Sequence, residues 1–332
     1  MKIAFFSTKP YDRVFFDKAN ADFGHEITYF ETRLTRQTVK LAEGYECACA
    51  FVNDQLDASA LIALAAQGTR LIALRYAGFN NVDVSSAGKL GVSVVRVPAY
   101  SPYAVAEHTV GLMLALNRKI YWANSRVKEG NFALDGLLGF DMRSATVGLI
   151  GTGKIGECVA SALHGFGCRI LAHDKQENKI CKTEYGVEYV SFEELVAQSD
   201  VISLHCPLLP DTYHLINMEA IARMKKGVMI INTSRGALID ARAAIEGLKS
   251  QKIGYLGIDV YEEEEELFFE DKTFQILTDD VFARLTTFPN VMITGHQAYF
   301  TKEAVARIAQ TTLENITAYE NGSELINAVK AE

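Results

Sequence analysis

Short apolar runs alternate with helix-length amphipathic segments along most of this chain. Residues 2–6 (KIAFF), 48–52 (ACAFV), 71–74 (LIAL) and 92–97 (VSVVRV) read as strands bounded by turn or helix signals. Between them, Asp57–Ala66 carries helical periodicity. The β-α-β rhythm predicts parallel sheets, because parallel strands need a crossover connection. A second series begins at 146–150 (TVGLI) and continues through 169–173, 201–204, 228–232, 255–258 and 291–293, which predicts a second sheet of six strands. Pro98 and Pro102 interrupt the rhythm at Val97–Tyr103, where the two α/β units are expected to join. Pro102–Val127 predicts one long helix with Pro at its start, and 302–319 predicts another near the end. With the second sheet already complete, that last helix is expected to return to the first unit. The expected fold is therefore α/β, with two Rossmann-like doubly wound parallel-sheet domains and a cleft between them. One domain is 1–98 plus 299–332, and the other is 99–298.

Composition narrows the class. Of 332 residues 49% are hydrophobic and 22% charged, the profile of a soluble globular protein. Lys plus Arg total 33 against 41 Asp plus Glu, and a net charge of -8 argues against a nucleic-acid partner. The longest apolar stretches, such as Val110–Leu116, are too short to span a bilayer, and MKIAFFSTKPYDR meets charge too early for a secretory signal. Six cysteines in a chain of this length are not a disulfide framework. A cytoplasmic enzyme is expected.

Gly151-Thr152-Gly153-Lys154-Ile155-Gly156 follows the strand TVGLI and opens a helix through Val159–Phe166. In that context a GxGxxG motif predicts dinucleotide binding. Gly151 makes the tight turn, Gly153 lets backbone approach a pyrophosphate, and Gly156 lets helix pack on strand. The next strand ends in Asp174, an acceptor for a ribose diol that favours NAD over NADP. Lys175 directly after it softens that preference.

Ligands of open α/β sheets bind beyond the carboxyl ends of the strands. There this sequence places His205-Cys206-Pro207, Thr233-Ser234-Arg235-Gly236, Asp259 with the acidic run 262–266, and Gly295-His296. Hydride transfer to a 2-keto acid needs a cation for the carboxylate, an acid for the ketone oxygen and a carboxylate behind that acid. Arg235, His296 and one acid of 262–266 meet these demands.

The segments VPAYSPYAVAEH (97–108), GTGKIG (151–156), HCPL (205–208), NTSRGALID (232–240), DVYEEE (259–264) and GHQA (295–298) resemble the D-2-hydroxyacid dehydrogenases. Within that family they are most similar to the fermentative bacterial D-lactate dehydrogenases, over essentially the whole chain including RYAGFNNVD (75–83). The resemblance implies Arg235 and His296 as catalytic residues, with Glu264 as the partner of His296. It implies Ala77 and Gly78 as a carboxylate-binding turn, and Tyr100 and Tyr299 over the substrate. Lys154, Ile155, Asp174, Cys206, Pro207, Thr212, Thr233, Ser234 and Asp259 fall on cofactor-contacting positions, and His205 is expected as a structural or nicotinamide-side contact. The implied activity is reversible reduction of pyruvate to D-lactate by NADH. A larger branched 2-keto acid is the alternative substrate, and an NAD-sensing regulator the alternative class. No His and carboxylate spacing predicts a metal site, and His108 is expected to be a packed or interface residue. The resemblance also implies a homodimer or homotetramer.

Overall fold

The structure, a computed structural model, describes residues 1–264 and 267–330. It divides into two units, Met1–Ser101 with Phe300–Glu332, and Pro102–Tyr299. Residues 99–101 fall with the first unit and Tyr299 with the second, where the sequence pattern assigns them the other way. The boundary instead falls between Ser101 and Pro102, whose fixed φ suits the first turn of the helix Pro102–Arg118.

The strands of the first unit are β1 (Lys2–Phe5), β2 (Glu26–Tyr29), β3 (Cys47–Ala50), β4 (Leu71–Leu74) and β5 (Ser93–Val95). They run parallel in the order β2-β1-β3-β4-β5. Every position of β3 and β4 is buried, which is why CACA and LIAL read as unbroken apolar runs. The apolar pattern does not predict β2, because EITY is an edge strand with no fully buried position. Phe6, Leu34, Leu61, Leu64, Ile72 and Leu74 lie in this unit's core. The helix Lys302–Glu320 packs on the helix Pro10–Asn20, and beyond it Ala328 pairs antiparallel with Val95 on the β5 edge.

The second unit holds β6 (Thr146–Ile150), β7 (Arg169–His173), β8 (Glu188–Tyr189), β9 (Val201–Leu204), β10 (Val228–Asn232), β11 (Ile253–Ile258) and β12 (Val291–Ile293). Its sheet is parallel in the order β12-β11-β10-β9-β6-β7-β8, one strand more than the sequence predicts. The extra strand is β8, two residues at an edge and too short to leave a periodic signal. From β6 the chain winds outward through β7 and β8, then returns to β9 on the other side. The β6/β9 pair is thus the switch point, where open sheets of this type bind ligands. The register sets Ile150 opposite both His173 and Leu204, Asn232 opposite Leu204 and Ile258, and Ile258 opposite Ile293. Gly151, Asp174, His205, Thr233, Asp259 and Thr294 therefore follow their strands in one row.

The single helix expected over Pro102–Val127 is two, Pro102–Arg118 and Ile120–Lys128, broken where Lys119 turns left-handed at φ 49°. Tertiary contacts stop the first helix. Asn117 exchanges two hydrogen bonds with the backbone of Phe140, each 2.8 Å, and Lys119 Nζ donates to the Leu138 carbonyl at 2.6 Å. Among the described residues no helix is long and apolar enough to cross a membrane.

Candidate active site

The loop after β6 is built by glycine. Gly151 has φ 98°, and a side chain there would run into the backbone of His205 and Cys206 after β9. A side chain on Gly156 would strike the Gly151 carbonyl, so the helix Lys154–Phe166 starts hard against the turn. Nothing lies within 4 Å of a Cβ built on Gly153, and no side chain caps that helix. Its first-turn N–H groups therefore face open space with the helix dipole behind them, a fit for a pyrophosphate. Lys154 is exposed beside it, while Ile155 turns into the core.

Asp174 ends β7. Its Oδ2 accepts from the Thr152 N–H at 2.6 Å and hydroxyl at 3.0 Å, and its Oδ1 from the Gln176 N–H at 3.2 Å. Burial opposes its ionisation, but these hydrogen bonds outweigh burial and hold its carboxyl below the ordinary value. A carboxylate anchored against the glycine loop fits a ribose diol. Lys175 is paired instead with the exposed Asp211, 3.2 Å away.

The loop after β9 braces the other side. Burial pushes the His205 imidazole down to about 4, so it is neutral near pH 7; its Nε2 lies 2.9 Å from Ser203 Oγ. Burial likewise pushes the Cys206 thiol up to about 11, which leaves it no nucleophile. The Thr212 hydroxyl donates to the Pro207 carbonyl at 2.7 Å and closes its own loop. Thr233, expected to touch cofactor, is buried with its hydroxyl 2.8 Å from that of Thr109. Ser234 Oγ donates to the Cys206 carbonyl at 2.8 Å.

Buried Asn232 shapes the turn that carries Arg235. Its Oδ1 accepts from the Ser234 N–H at 3.0 Å and its Nδ2 donates to the Arg235 carbonyl at 2.8 Å. Arg235 Nη1 donates to the Ser234 carbonyl at 2.7 Å, and among the described residues no carboxylate pairs with this guanidinium.

His296 stands on the loop after β12 in the left-handed region, at φ 51°. Its Nδ1 lies 2.7 Å from Glu264 Oε1, while Glu264 Oε2 accepts from the Tyr261 N–H at 2.9 Å. In the acidic run, Glu262 instead meets His214 Nε2 at 2.9 Å, Glu263 is exposed, and Glu265 and Glu266 lie outside the described residues. Asp259, expected at the cofactor, is fully buried and serves the His296 loop. Its Oδ1 accepts from Thr294 Oγ1 at 2.5 Å and the Gln297 N–H at 2.9 Å, and its Oδ2 from the Ala298 N–H at 2.8 Å. Its carbonyl takes the His296 N–H at 2.7 Å. Spacing does not reveal this clamp, nor its outer member His108. That histidine packs across from its helix, with its Nε2 3.1 Å from Thr294 Oγ1.

Of the remaining expected residues, Ala77, Gly78 and Tyr100 are half-buried in the first unit, and Tyr299 is half-buried at the end of the second. Among the described residues no group of three His, Cys, Asp or Glu side chains is placed to hold a metal.

Residues 110–298 match the family model described as D-isomer specific 2-hydroxyacid dehydrogenase, NAD binding domain. The chain belongs to the D-isomer specific 2-hydroxyacid dehydrogenase family, and its cofactor is NAD. The D-lactate dehydrogenase of Escherichia coli is 53% identical to it over 327 residues, 98% of this chain and 99% of that protein. The apo structure of D-lactate dehydrogenase from Escherichia coli matches with a TM-score of 0.91 at 51% identity, over 99% of this chain and 100% of that one. A structure of D-2-hydroxyisocaproate dehydrogenase matches with a TM-score of 0.88 at 30% identity, over the whole of both chains.

Proposed function

We propose that this protein is an NAD-dependent D-lactate dehydrogenase that interconverts pyruvate and D-lactate. The observation that carries the proposal is the His296–Glu264 pair, held at 2.7 Å on a loop clamped by Asp259 beside the glycine-loop edge of the sheet. When bound, NADH supplies the hydride. Arg235 holds the substrate carboxylate through two parallel N–H groups, which an ammonium cannot do. With Nδ1 engaged by Glu264, the His296 ring has Nε2 for the keto oxygen, to which it gives a proton in reduction and from which it takes one in oxidation. Glu264 fixes the ring orientation and offsets the imidazolium charge. His205, neutral and hydrogen-bonded to Ser203, is unsuited to this role. The amides of Ala77 and Gly78 serve as further donors to the carboxylate, and Tyr100 and Tyr299 favour a small substituent on the substrate.

The likeness to D-2-hydroxyisocaproate dehydrogenase supports the same chemistry on a larger side chain as the second reading. Comparing kcat/KM for pyruvate and 2-ketoisocaproate, followed by NADH absorbance, separates them. A preference for pyruvate upholds the first reading, and a preference for the branched acid replaces it with the second.

The protein is proposed to be a homodimer or homotetramer. The helix Ile120–Lys128 buries no residue, and Phe132, Leu134 and Leu138 are 74%, 81% and 89% exposed just after it. Six free thiols fit a cytoplasmic location.

A further inference from the structure

In the turn after β4, the carbonyls of Tyr76 and Ala77 are both held from the same side. The Tyr76 carbonyl accepts from the Val97 N–H at 3.2 Å, and the Ala77 carbonyl accepts from Arg96 Nη1 at 2.7 Å. Both bonds come from the segment following β5. Among the described residues no peptide is cis, and in a trans peptide the N–H points opposite to its own carbonyl. The Ala77 and Gly78 N–H groups therefore both face away from that segment. Neither has an acceptor among the described residues. Two adjacent, outward-facing N–H donors form a concavity suited to an anion.

Arg96 is itself fixed at its base. Its N–H donates to the Asn327 carbonyl at 3.1 Å, and its carbonyl accepts from Asn315 Nδ2 at 2.9 Å. Asn327 Nδ2 in turn donates to Asn315 Oδ1 at 2.9 Å, so helix Lys302–Glu320 and the segment after it hold one residue together. The Arg96 guanidinium also lies over the Phe79 ring, 5.2 Å from its centre. From this anchored base a single cation reaches one carbonyl, and that carbonyl belongs to the peptide whose N–H is Gly78's.

We propose that Arg96 is a positioning residue for the substrate carboxylate. By holding the Ala77 carbonyl it keeps the Gly78 N–H turned toward the anion, and its charge polarises that peptide so that the N–H donates more strongly. Arg96 itself does not touch the substrate. It acts through one peptide, and on a group remote from the reacting carbon. Such an interaction contributes equally to ground and transition states, so its loss raises KM and spares kcat. This inference rests on the proposed 2-keto acid dehydrogenase activity.

The test compares wild type, Arg96→Met and Arg96→Lys. Met retains an unbranched apolar side chain beside Phe79 but donates no hydrogen bond, while Lys keeps a cation and one donor toward Ala77. Pyruvate KM and kcat, NADH Kd and thermal midpoint are measured for each. We expect Arg96→Met to raise pyruvate KM about tenfold, the scale of one well-placed hydrogen bond, with kcat and NADH Kd within about twofold. Arg96→Lys should lie between Met and wild type. If Arg96→Met does not fold, Arg96→Lys decides alone: a KM raised several-fold at unchanged kcat and NADH Kd supports the role, and an unchanged KM overturns it. An unchanged KM in a folded Arg96→Met variant, or a loss confined to kcat or to NADH binding, also overturns it. These results leave the proposed activity standing. Absence of turnover of any 2-keto acid by the wild type overturns that activity, and this role with it.

Discussion

Asp259→Asn is the substitution that most sharply tests how His296 is held. The side chain keeps its shape but loses its charge, and one carboxylate oxygen becomes an NH2 group. At Oδ2 the new amide would confront the Ala298 N–H, now 2.8 Å away, and at Oδ1 it would confront the Gln297 N–H at 2.9 Å. Either orientation leaves at least one N–H in the loop without its acceptor, which costs about 1–3 kcal/mol. The bonds that survive lose their charge assistance, roughly half their strength and about another 1 kcal/mol. His296 already holds a left-handed conformation at φ 51°, which costs on the order of 1 kcal/mol and persists only while the loop enforces it. A loss of about 3 kcal/mol in a unit of this size lowers Tm by about 6–12 °C. A loop free to relax moves His296, and a misplacement of about 1 Å costs roughly a hundredfold in turnover. Thermal unfolding and steady-state NADH oxidation read the two effects on one preparation. An Asp259→Asn variant with wild-type Tm and wild-type kcat would refute the clamp. A tenfold loss of NADH affinity at unchanged turnover would return Asp259 to the cofactor role that its position in the sequence suggests.

Three further outcomes are expected. Arg235→Lys should lower kcat/KM for pyruvate by about two to three orders of magnitude, because the ammonium cannot make two parallel bonds to a carboxylate; steady-state kinetics at saturating NADH checks this. Glu264→Gln should reduce kcat about 10- to 100-fold with NADH affinity unchanged, whereas wild-type kcat would move the partnership away from Glu264. His205 is held at about 4 by burial, below the usual histidine value, so the unfolded chain binds its proton first as pH falls. Its contribution to stability is therefore intact above about pH 6.5 and is lost as pH falls toward 4. Denaturant titrations across that window should show less loss of stability in His205→Gln than in the wild type.

Much of this arrangement is legible in the sequence because apolar runs mark buried parallel strands, and the residues just after each run mark the ligand edge. The runs at 146–150, 169–173, 201–204 and 228–232 coincide with β6, β7, β9 and β10, and their register brings the expected residues into one row. Edge strands escape this logic. EITY and the two-residue β8 are too exposed or too short to stand out from turns. The helix break at Lys119 also leaves no local trace, since it is imposed by Leu138 and Phe140 from a returning segment. Within the acidic run, composition cannot assign partners; the backbone after β11 sends Glu262 to His214 and Glu264 to His296. The role of Asp259 is hidden for a related reason, because its acceptors are filled from a loop more than thirty residues further along the chain.

At the centre of the proposed mechanism, His296 carries the proton in reduction of a 2-keto acid to its D-hydroxy acid. The most direct measurement follows NADH oxidation with pyruvate for the wild type and His296→Gln, determines the handedness of the lactate formed, and titrates NADH binding to both. We expect D-lactate from the wild type, turnover in His296→Gln reduced by at least about three orders of magnitude, and unchanged NADH affinity. Wild-type turnover in His296→Gln, or L-lactate as the product, would contradict that mechanism.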